Sequence, residues 1–98
     1  MAATSQAAKA LQIDPRDNVA VALADIAAGT QVRVQETTLE AREPIPFAHK
    51  LALQAIAPGE AILKYGVPIG FATAPIEPGG WVHEHNVQSY FTARRKVE

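Results

Sequence analysis

All three histidines of this 98-residue chain lie in two short segments, Phe47-Ala48-His49-Lys50 and Trp81–Asn86. Imidazole transfers protons near neutral pH and is also a common metal ligand. If the run from Trp81 is an extended strand, His83 and His85 point to the same face, about 7 Å apart, and can meet one metal ion or one anion. Two ligands do not complete a metal site, and a strand end with solvated polar side chains explains the pattern equally well.

Two lysines are candidates for holding the charge of an anionic ligand. Lys50 directly follows His49, which places an ammonium group beside a proton carrier. Lys64 precedes Tyr65 and a glycine, so a cation and a phenol can together hold a carboxylate. Both pairs also fit a plainer interpretation, in which a solvated lysine ends a strand or lies in a surface loop.

Two asparagines complete the set of candidate residues. Asn86 adds an amide at the end of the predicted strand, and Asn18 follows Asp17, whose oxygen can also bind a cation. The run Asp14–Asn18 has the composition of a tight turn, and a turn with its cap is the favoured interpretation. The sequence contains no nucleophile elbow, P-loop, dinucleotide fingerprint or zinc-protease helix motif.

Short strands separated by turns must position these groups. Prolines and glycines lie between apolar runs, and the segment 50–57 is interpreted as a short turn or a single helical turn. Ile26, Ile56 and Ile76 each stand three residues before a glycine, which predicts the same tight turn used three times. Alternation of apolar and polar residues predicts strands near 10–13, 19–23, 31–35, 39–43, 61–64, 69–73 and 81–85. We expect one core lined by Leu23, Ile26, Val34, Ile56, Ile62, Ile69 and Ile76.

Composition narrows the class of protein. The length suits one domain, and a net charge of −1 does not favour nucleic acid or an anionic membrane as a partner. The chain has no cysteine, which excludes disulfides and thiol catalysis, and no apolar run approaches the ~20 residues of a membrane helix. With no signal-peptide pattern, we expect a cytoplasmic protein. Its predicted parts are an N-terminal arm over 1–10, one domain over 11–88 and a C-terminal tail over 89–98 with Arg94-Arg95-Lys96.

Five segments, taken in order, resemble the small SAF domain of the altronate/galactarate dehydratase family. Each motif is short, and the specificity comes from their order along most of the chain. One departure is Ala48, because the family has glycine before the His-Lys pair. The segments are Asp17-Asn18-Val19-Ala20-Val21-Ala22-Leu23, His49-Lys50-Leu51-Ala52-Leu53, Gly59-Glu60, Lys64-Tyr65-Gly66-Val67-Pro68-Ile69-Gly70 and Val82-His83-Glu84-His85-Asn86.

The resemblance implies a mainly β, SAF-type β-clip domain with short strands, tight turns and little helix. It also implies a lyase that removes water from a sugar acid and gives a 2-keto-3-deoxy acid, generally with Fe(2+). The iron would be held mainly by a large dehydratase subunit, with this chain as the free-standing small subunit. The alternatives are the small subunit of a sulfolactate sulfo-lyase-type enzyme and a non-catalytic module that binds sugar acids. A homo-oligomer formed through the SAF domain is compatible with each of them.

Within that family, the expected site lies at an interface with the partner. We assign catalysis to His83, His85, His49 and Lys50, with His83 and His85 as candidate metal ligands or acid/base groups. The substrate-binding candidates are Lys64, Tyr65, Asn86 and Asn18.

Overall fold

The computed structural model describes residues 8–90, and their regular elements are nine β-strands. The predicted mainly β fold class, with short strands and little helix, is confirmed. None of the elements in this range is a helix of the length and hydropathy that a membrane crossing requires. The tail residues Arg94-Arg95-Lys96 lie outside the described residues. The strands are β1 (Ala8–Leu11), β2 (Val19–Ala22), β3 (Gln31–Val34), β4 (Thr37–Glu40), β5 (Lys50–Ala52), β6 (Ala61–Lys64), β7 (Val67–Ala72), β8 (Trp81–Val82) and β9 (Val87–Ser89).

The strands form two sheets. The larger has six strands in the order β4-β3-β1-β2-β5-β8, and the smaller has three in the order β6-β7-β9. Strand β1 pairs parallel with β3, while every other strand pair is antiparallel. At the centre, β2 consists of Val and Ala, and β5 continues after Lys50 with Leu and Ala, which suits strands whose apolar residues are buried on both faces. The pairing of β5 with β8 determines the position of the candidate site.

Several predicted boundaries differ from the structure. Strand β1 begins at Ala8, inside the segment predicted as an arm, and β4 begins at Thr37 rather than Leu39. The run beginning at Lys50 is a strand between β2 and β8, because pairing on both edges outweighs its ambiguous periodicity. Strand β8 ends at Val82 rather than His85, and β9 was not predicted.

The apolar interior is divided into two clusters, so the prediction of one core was wrong. One cluster contains Ile26 and Val34, and the other contains Ile56, Ile62 and Ile76. Leu23, predicted as a core residue, is 50% exposed because it lies just beyond the end of β2. The fully buried Ile45, which the sequence pattern did not single out, completes the first cluster.

A pseudo-two-fold relation connects the two halves of the domain. Ile26 pairs with Ile45 through an isolated bridge, and Ile56 pairs with Ile76 in the same way. The segment between the paired isoleucines is one residue longer in the second half than in the first. A β-bulge between β6 and β7 accommodates this extra residue. The turn at Ile45, which the sequence pattern missed because it contains no glycine, is therefore the fourth member of the predicted set. All four turns place their fourth residue at a positive φ.

Ala48 occupies that strained position in the fourth turn. Its φ is 71°, whereas the corresponding glycines have φ values of 85° (Gly29), 88° (Gly59) and 85° (Gly79). The left-handed conformation is sterically unfavourable for alanine and not for glycine. Glycine, however, loses more conformational entropy on folding than alanine does. The turn geometry is thus kept despite the departure from the family pattern.

Replacing Ala48 with glycine should stabilise the domain by about 0.5 kcal/mol, the net of these two opposing effects. Urea unfolding followed by the fluorescence of Trp81, the single tryptophan, measures the change. Ala57→Gly is the matched control, because Ala57 lies in an equivalent turn at an ordinary φ and should lose stability. Equal effects of the two substitutions would contradict the strain at Ala48.

Candidate active site

Strand pairing brings the two histidine-bearing segments together. Lys50 of β5 lies opposite Val82 of β8, and Leu51 lies opposite Trp81. Since His49 precedes β5 and His83 follows β8, antiparallel pairing places the two imidazoles at the same end of the strand pair. The rings of His49 and His83 have their centroids 4.6 Å apart.

Trp81 is the centre of a four-ring group that we call the imidazole cluster, made of His49, Trp81, His83 and His85. Ring centroids lie 5.7 Å from the Trp81 ring for His49, 5.1 Å for His83 and 5.0 Å for His85. The His83 ring is stacked on the indole with an interplanar angle of 8°. The structure therefore brings together all three predicted catalytic histidines around one aromatic surface.

A tight turn, rather than an extended strand, orients His83 and His85. The Asn86 side-chain oxygen accepts a hydrogen bond from the His83 backbone N–H at 3.0 Å, and its amide nitrogen donates to the Trp81 carbonyl at 2.8 Å. The Asn86 backbone N–H also donates to the His83 carbonyl, which closes the turn. The predicted extended geometry of His83 and His85 was wrong, because these local hydrogen bonds close a turn where the strand would have continued.

Asn86 is buried, at 8% exposure, and both polar atoms of its side chain are engaged in that turn. The contacts therefore support a structural role for Asn86, and its predicted contact with substrate stays a prediction.

Lys50 and His83 line a groove of about 550 Å³ next to the imidazole cluster. One wall is apolar and comes from β7 and β9, while Glu84 adds a carboxylate at the turn. A largely apolar groove with a few converging polar groups is the usual form of a small-molecule site. The remaining lining residues are Val67, Pro68, Ile69, Val87, Ser89 and Tyr90.

The surroundings of Lys50 favour an anionic ligand at this residue. Partial burial lowers the pKa of the Lys50 amine below its ordinary value, and the positive charge of Lys64 lowers it further. Among residues 8–90, no carboxylate lies within ion-pair distance of Lys50, and the ion pair found in this range joins Arg16 to Asp14 instead. A bound carboxylate would supply the countercharge that this half-buried ammonium group lacks.

Lys64 and Tyr65 lie at the turn between β6 and β7. The Lys64 ammonium is 5.3 Å from the centre of the Tyr65 ring, and Tyr65 is 60% exposed with a φ of 61°. Lys64 is close enough to Lys50 to affect its pKa, so the two predicted cations act on the same region. Tyr65 is exposed and does not line the groove, whereas Val67, two residues later, does.

Asp17 and Asn18 hold the β6–β7 hairpin against the rest of the domain. The Asn18 amide donates to the Ala61 carbonyl at 2.9 Å, and its oxygen accepts from the Leu63 N–H at 2.8 Å. Asn18 is 7% exposed, so these contacts support a structural role and leave its predicted contact with substrate without support. The interpretation of the Asp14–Asn18 run as a turn with its cap is confirmed.

The residues described here do not form a complete metal site. Between residues 8 and 90, no group of three or more histidine, aspartate or glutamate side chains is arranged to hold a metal ion. His83 and His85 can supply at most two ligands, whereas a metal centre in a protein needs three or four.

Sequence reasoning did not assign a role to Trp81, although it noted that this residue precedes the His-x-His pair. Trp81 is the single tryptophan of the chain and stands two residues before His83. This position was the available signal for a role at the site. The groove wall from β7 and β9 had no such signal, because its residues are ordinary strand residues that converge only in the folded domain.

Comparison with known proteins gives one family match and several relatives. Residues 8–90 match the altronate/galactarate dehydratase SAF domain. The chain is 48% identical to altronate dehydratase of Escherichia coli and 38% identical to that of Bacillus subtilis, each over 79 residues covering 81% of this chain. It spans only 16% of the length of either enzyme. It is also 42% identical over 57 residues to (2R)-sulfolactate sulfo-lyase subunit alpha of Chromohalobacter salexigens, covering 56% of this chain and 61% of that subunit.

Proposed function

This chain belongs to the altronate/galactarate dehydratase SAF-domain family, and from that membership we propose that it is the SAF component of a hydro-lyase. The substrate is a sugar acid of the altronate or galactarate kind, and the product is a 2-keto-3-deoxy acid. The proposal rests on one observation of the site: three imidazoles gather around Trp81, and one of them, His83, lines a groove together with the half-buried Lys50.

The reaction requires a base, an acid and a positive charge. A proton leaves the carbon next to the carboxylate, the bond between the neighbouring carbon and its hydroxyl oxygen breaks, and water departs. The enol that remains takes up a proton on carbon and becomes the ketone. The first step builds negative charge on the carboxylate, and a fixed cation nearby lowers that barrier.

The groove and the adjoining imidazole cluster contain side chains suited to these tasks. Lys50 binds the substrate carboxylate, because partial burial and the nearby charge of Lys64 both disfavour its ammonium form and a bound anion offsets these two effects. His83, which lines the groove, and His85 are the candidates for proton transfer, because imidazoles titrate near neutral pH. Any Fe(2+) would take most of its ligands from the partner, and this chain would contribute His83 and His85 at most.

We propose that a large dehydratase subunit or domain completes the site. The altronate dehydratases are about six times as long as the matched segment, and the sulfo-lyase relatives are named as subunits. A groove on one face of so small a domain leaves its ligand open to water, whereas these steps need a closed environment. Alone, the chain should turn over no sugar acid.

A sulfo-lyase is the second candidate. The chain is 41% identical to (2R)-sulfolactate sulfo-lyase subunit alpha of Paracoccus pantotrophus and covers 76% of the length of that subunit. This share is much larger than the share of the long dehydratases that the chain covers. The chemistry differs only in the leaving group, because sulfite departs in place of water.

Domain replacement tests both functions. In one hybrid, this chain replaces the matching segment of the Escherichia coli altronate dehydratase, and in the other it replaces subunit alpha of the Paracoccus pantotrophus sulfo-lyase. We expect dehydration of altronate by the first hybrid and no turnover by the isolated chain. Restoring each native segment provides the positive control.

If the second hybrid releases sulfite and the first hybrid does not dehydrate altronate, the sulfo-lyase function is favoured. If both hybrids are folded and inactive while both restored enzymes work, the catalytic proposal is wrong, and a non-catalytic binding module takes its place.

A further inference from the structure

A hydrogen bond between two rings defines the protonation of His49. The indole nitrogen Nε1 of Trp81 lies 3.1 Å from Nδ1 of His49. An indole N–H can only donate, so Nδ1 of His49 must accept and carries no proton. In neutral His49 the proton is therefore on Nε2.

Trp81 is itself held in place from several sides. Its backbone N–H donates to a carboxylate oxygen of Glu43 at 3.0 Å, and its carbonyl accepts from the Asn86 side chain at 2.8 Å. Its ring is stacked on His83, and its backbone pairs with Leu51 across the sheet. An indole fixed in this way presents its N–H to His49 in one direction.

We propose that Trp81 is a positioning residue that holds neutral His49 in its Nε2–H tautomer, which makes His49 a hydrogen-bond donor to the ligand rather than a base or a metal ligand. The donor role rests on the proposed function, while the tautomer does not. A base or a metal ligand at Nε2 needs a free lone pair on that nitrogen, which would move the proton to Nδ1. Two N–H groups would then face each other across 3.1 Å.

This assignment divides the work within the imidazole cluster. A neutral imidazole that donates through Nε2 can stabilise charge on a carboxylate or an enolate oxygen without giving up its proton. Proton abstraction then falls to His83 or His85, which have no such contact with the indole nitrogen.

Nitrogen NMR of the intact, labelled chain tests the tautomer without any substrate. Long-range proton–nitrogen correlation spectra at a pH where the histidines are neutral separate the two ring nitrogens. For His49 we expect a protonated Nε2 and an unprotonated Nδ1, in nearly complete excess. Trp81→Phe keeps an aromatic ring but removes the donor, and should shift His49 to a mixture of both tautomers.

His85→Ala is the matched control, because it removes another ring that contacts Trp81 and should leave the His49 tautomer unchanged. If Trp81→Phe fails to fold, His49→Ala tests the hydrogen bond that holds the tautomer, since the one indole N–H signal of the chain should then move upfield and exchange faster. An Nδ1–H tautomer in the native chain, an unchanged tautomer in Trp81→Phe, or an unchanged indole signal in His49→Ala would each overturn the proposal. Inactive hybrids would overturn the proposed reaction and leave these spectra unaffected.

Discussion

Alanine in place of His83 or of His85 is expected to lower turnover of the reconstituted enzyme by on the order of 10²-fold or more, the usual loss for a proton-transfer group. The same substitutions should leave the melting temperature of the isolated domain nearly unchanged. His85 is exposed, and His83 is only partly buried, with its ring against Trp81, so neither contributes much to the core. Turnover of the active hybrid and thermal unfolding of the domain measure the two effects separately.

Glu36→Ala is a suitable control, because Glu36 is an exposed residue in the β3–β4 turn and lies outside the groove. Full activity of both histidine variants would mean that the partner alone supplies the acid and the base. Loss of folding together with loss of activity would instead show that the rings serve the core.

Removal of the Asp17 carboxylate should cause the largest loss of stability among polar substitutions in this domain. Asp17 is 5% exposed, and its oxygens accept hydrogen bonds from the backbone N–H groups of Asp14, Tyr65 and Gly66. Asp17→Ala leaves all three donors without their acceptor, at about 1 kcal/mol each, so we expect a loss of about 3 kcal/mol. For a domain of this size, that corresponds to a melting temperature lower by roughly 10–20 °C.

Asp14→Ala is the matched control within the same turn. Its carboxylate pairs with Arg16, whose side chain is 73% exposed, and an ion pair in solvent adds little to folding. Because this carboxylate also accepts a hydrogen bond from the exposed Arg16 backbone N–H at 2.9 Å, we expect a loss of at most about 1 kcal/mol in urea unfolding for Asp14→Ala. A loss as small for Asp17→Ala would show that water replaces its three contacts and that the β6–β7 hairpin needs no clamp.

The strands with one exposed face were predictable, and the buried assembly was not. Gln31–Val34 alternates between exposed and buried residues, as its sequence indicates. Trp81–His85 also alternates, yet the strand stops at Val82 because Asn86 bonds back to the turn. Single-residue periodicity does not reveal which polar side chain will compete with the continuation of a strand.

The site was predictable in its residues more than in its geometry. The concentration of histidines identified three members of the imidazole cluster, which strand pairing then brought together. The sequence carries no signal for the apolar groove wall, whose members β7 and β9 reach the site through long-range pairing. The structural contacts of Asn18 and Asn86 were not predictable for a related reason, because the sequence does not distinguish a buried amide that bonds to the backbone from one that binds a ligand.

The pseudo-two-fold relation has an evolutionary consequence. In the pairing of β2 with β5, Ala20 lies opposite Leu51 and Val21 lies opposite Lys50. Residues thirty positions apart are equivalent, so Ala20 corresponds to Lys50 and Val21 to Leu51, as expected if an ancestral half-domain was duplicated and fused. His49 and Lys50 then correspond to Val19 and Ala20, which are buried at 1% and 0% exposure. In one half these positions are buried in the core, and in the other they carry the imidazole and the ammonium group of the candidate site. An ancestral homodimer of identical halves would therefore have carried either two such sites or none.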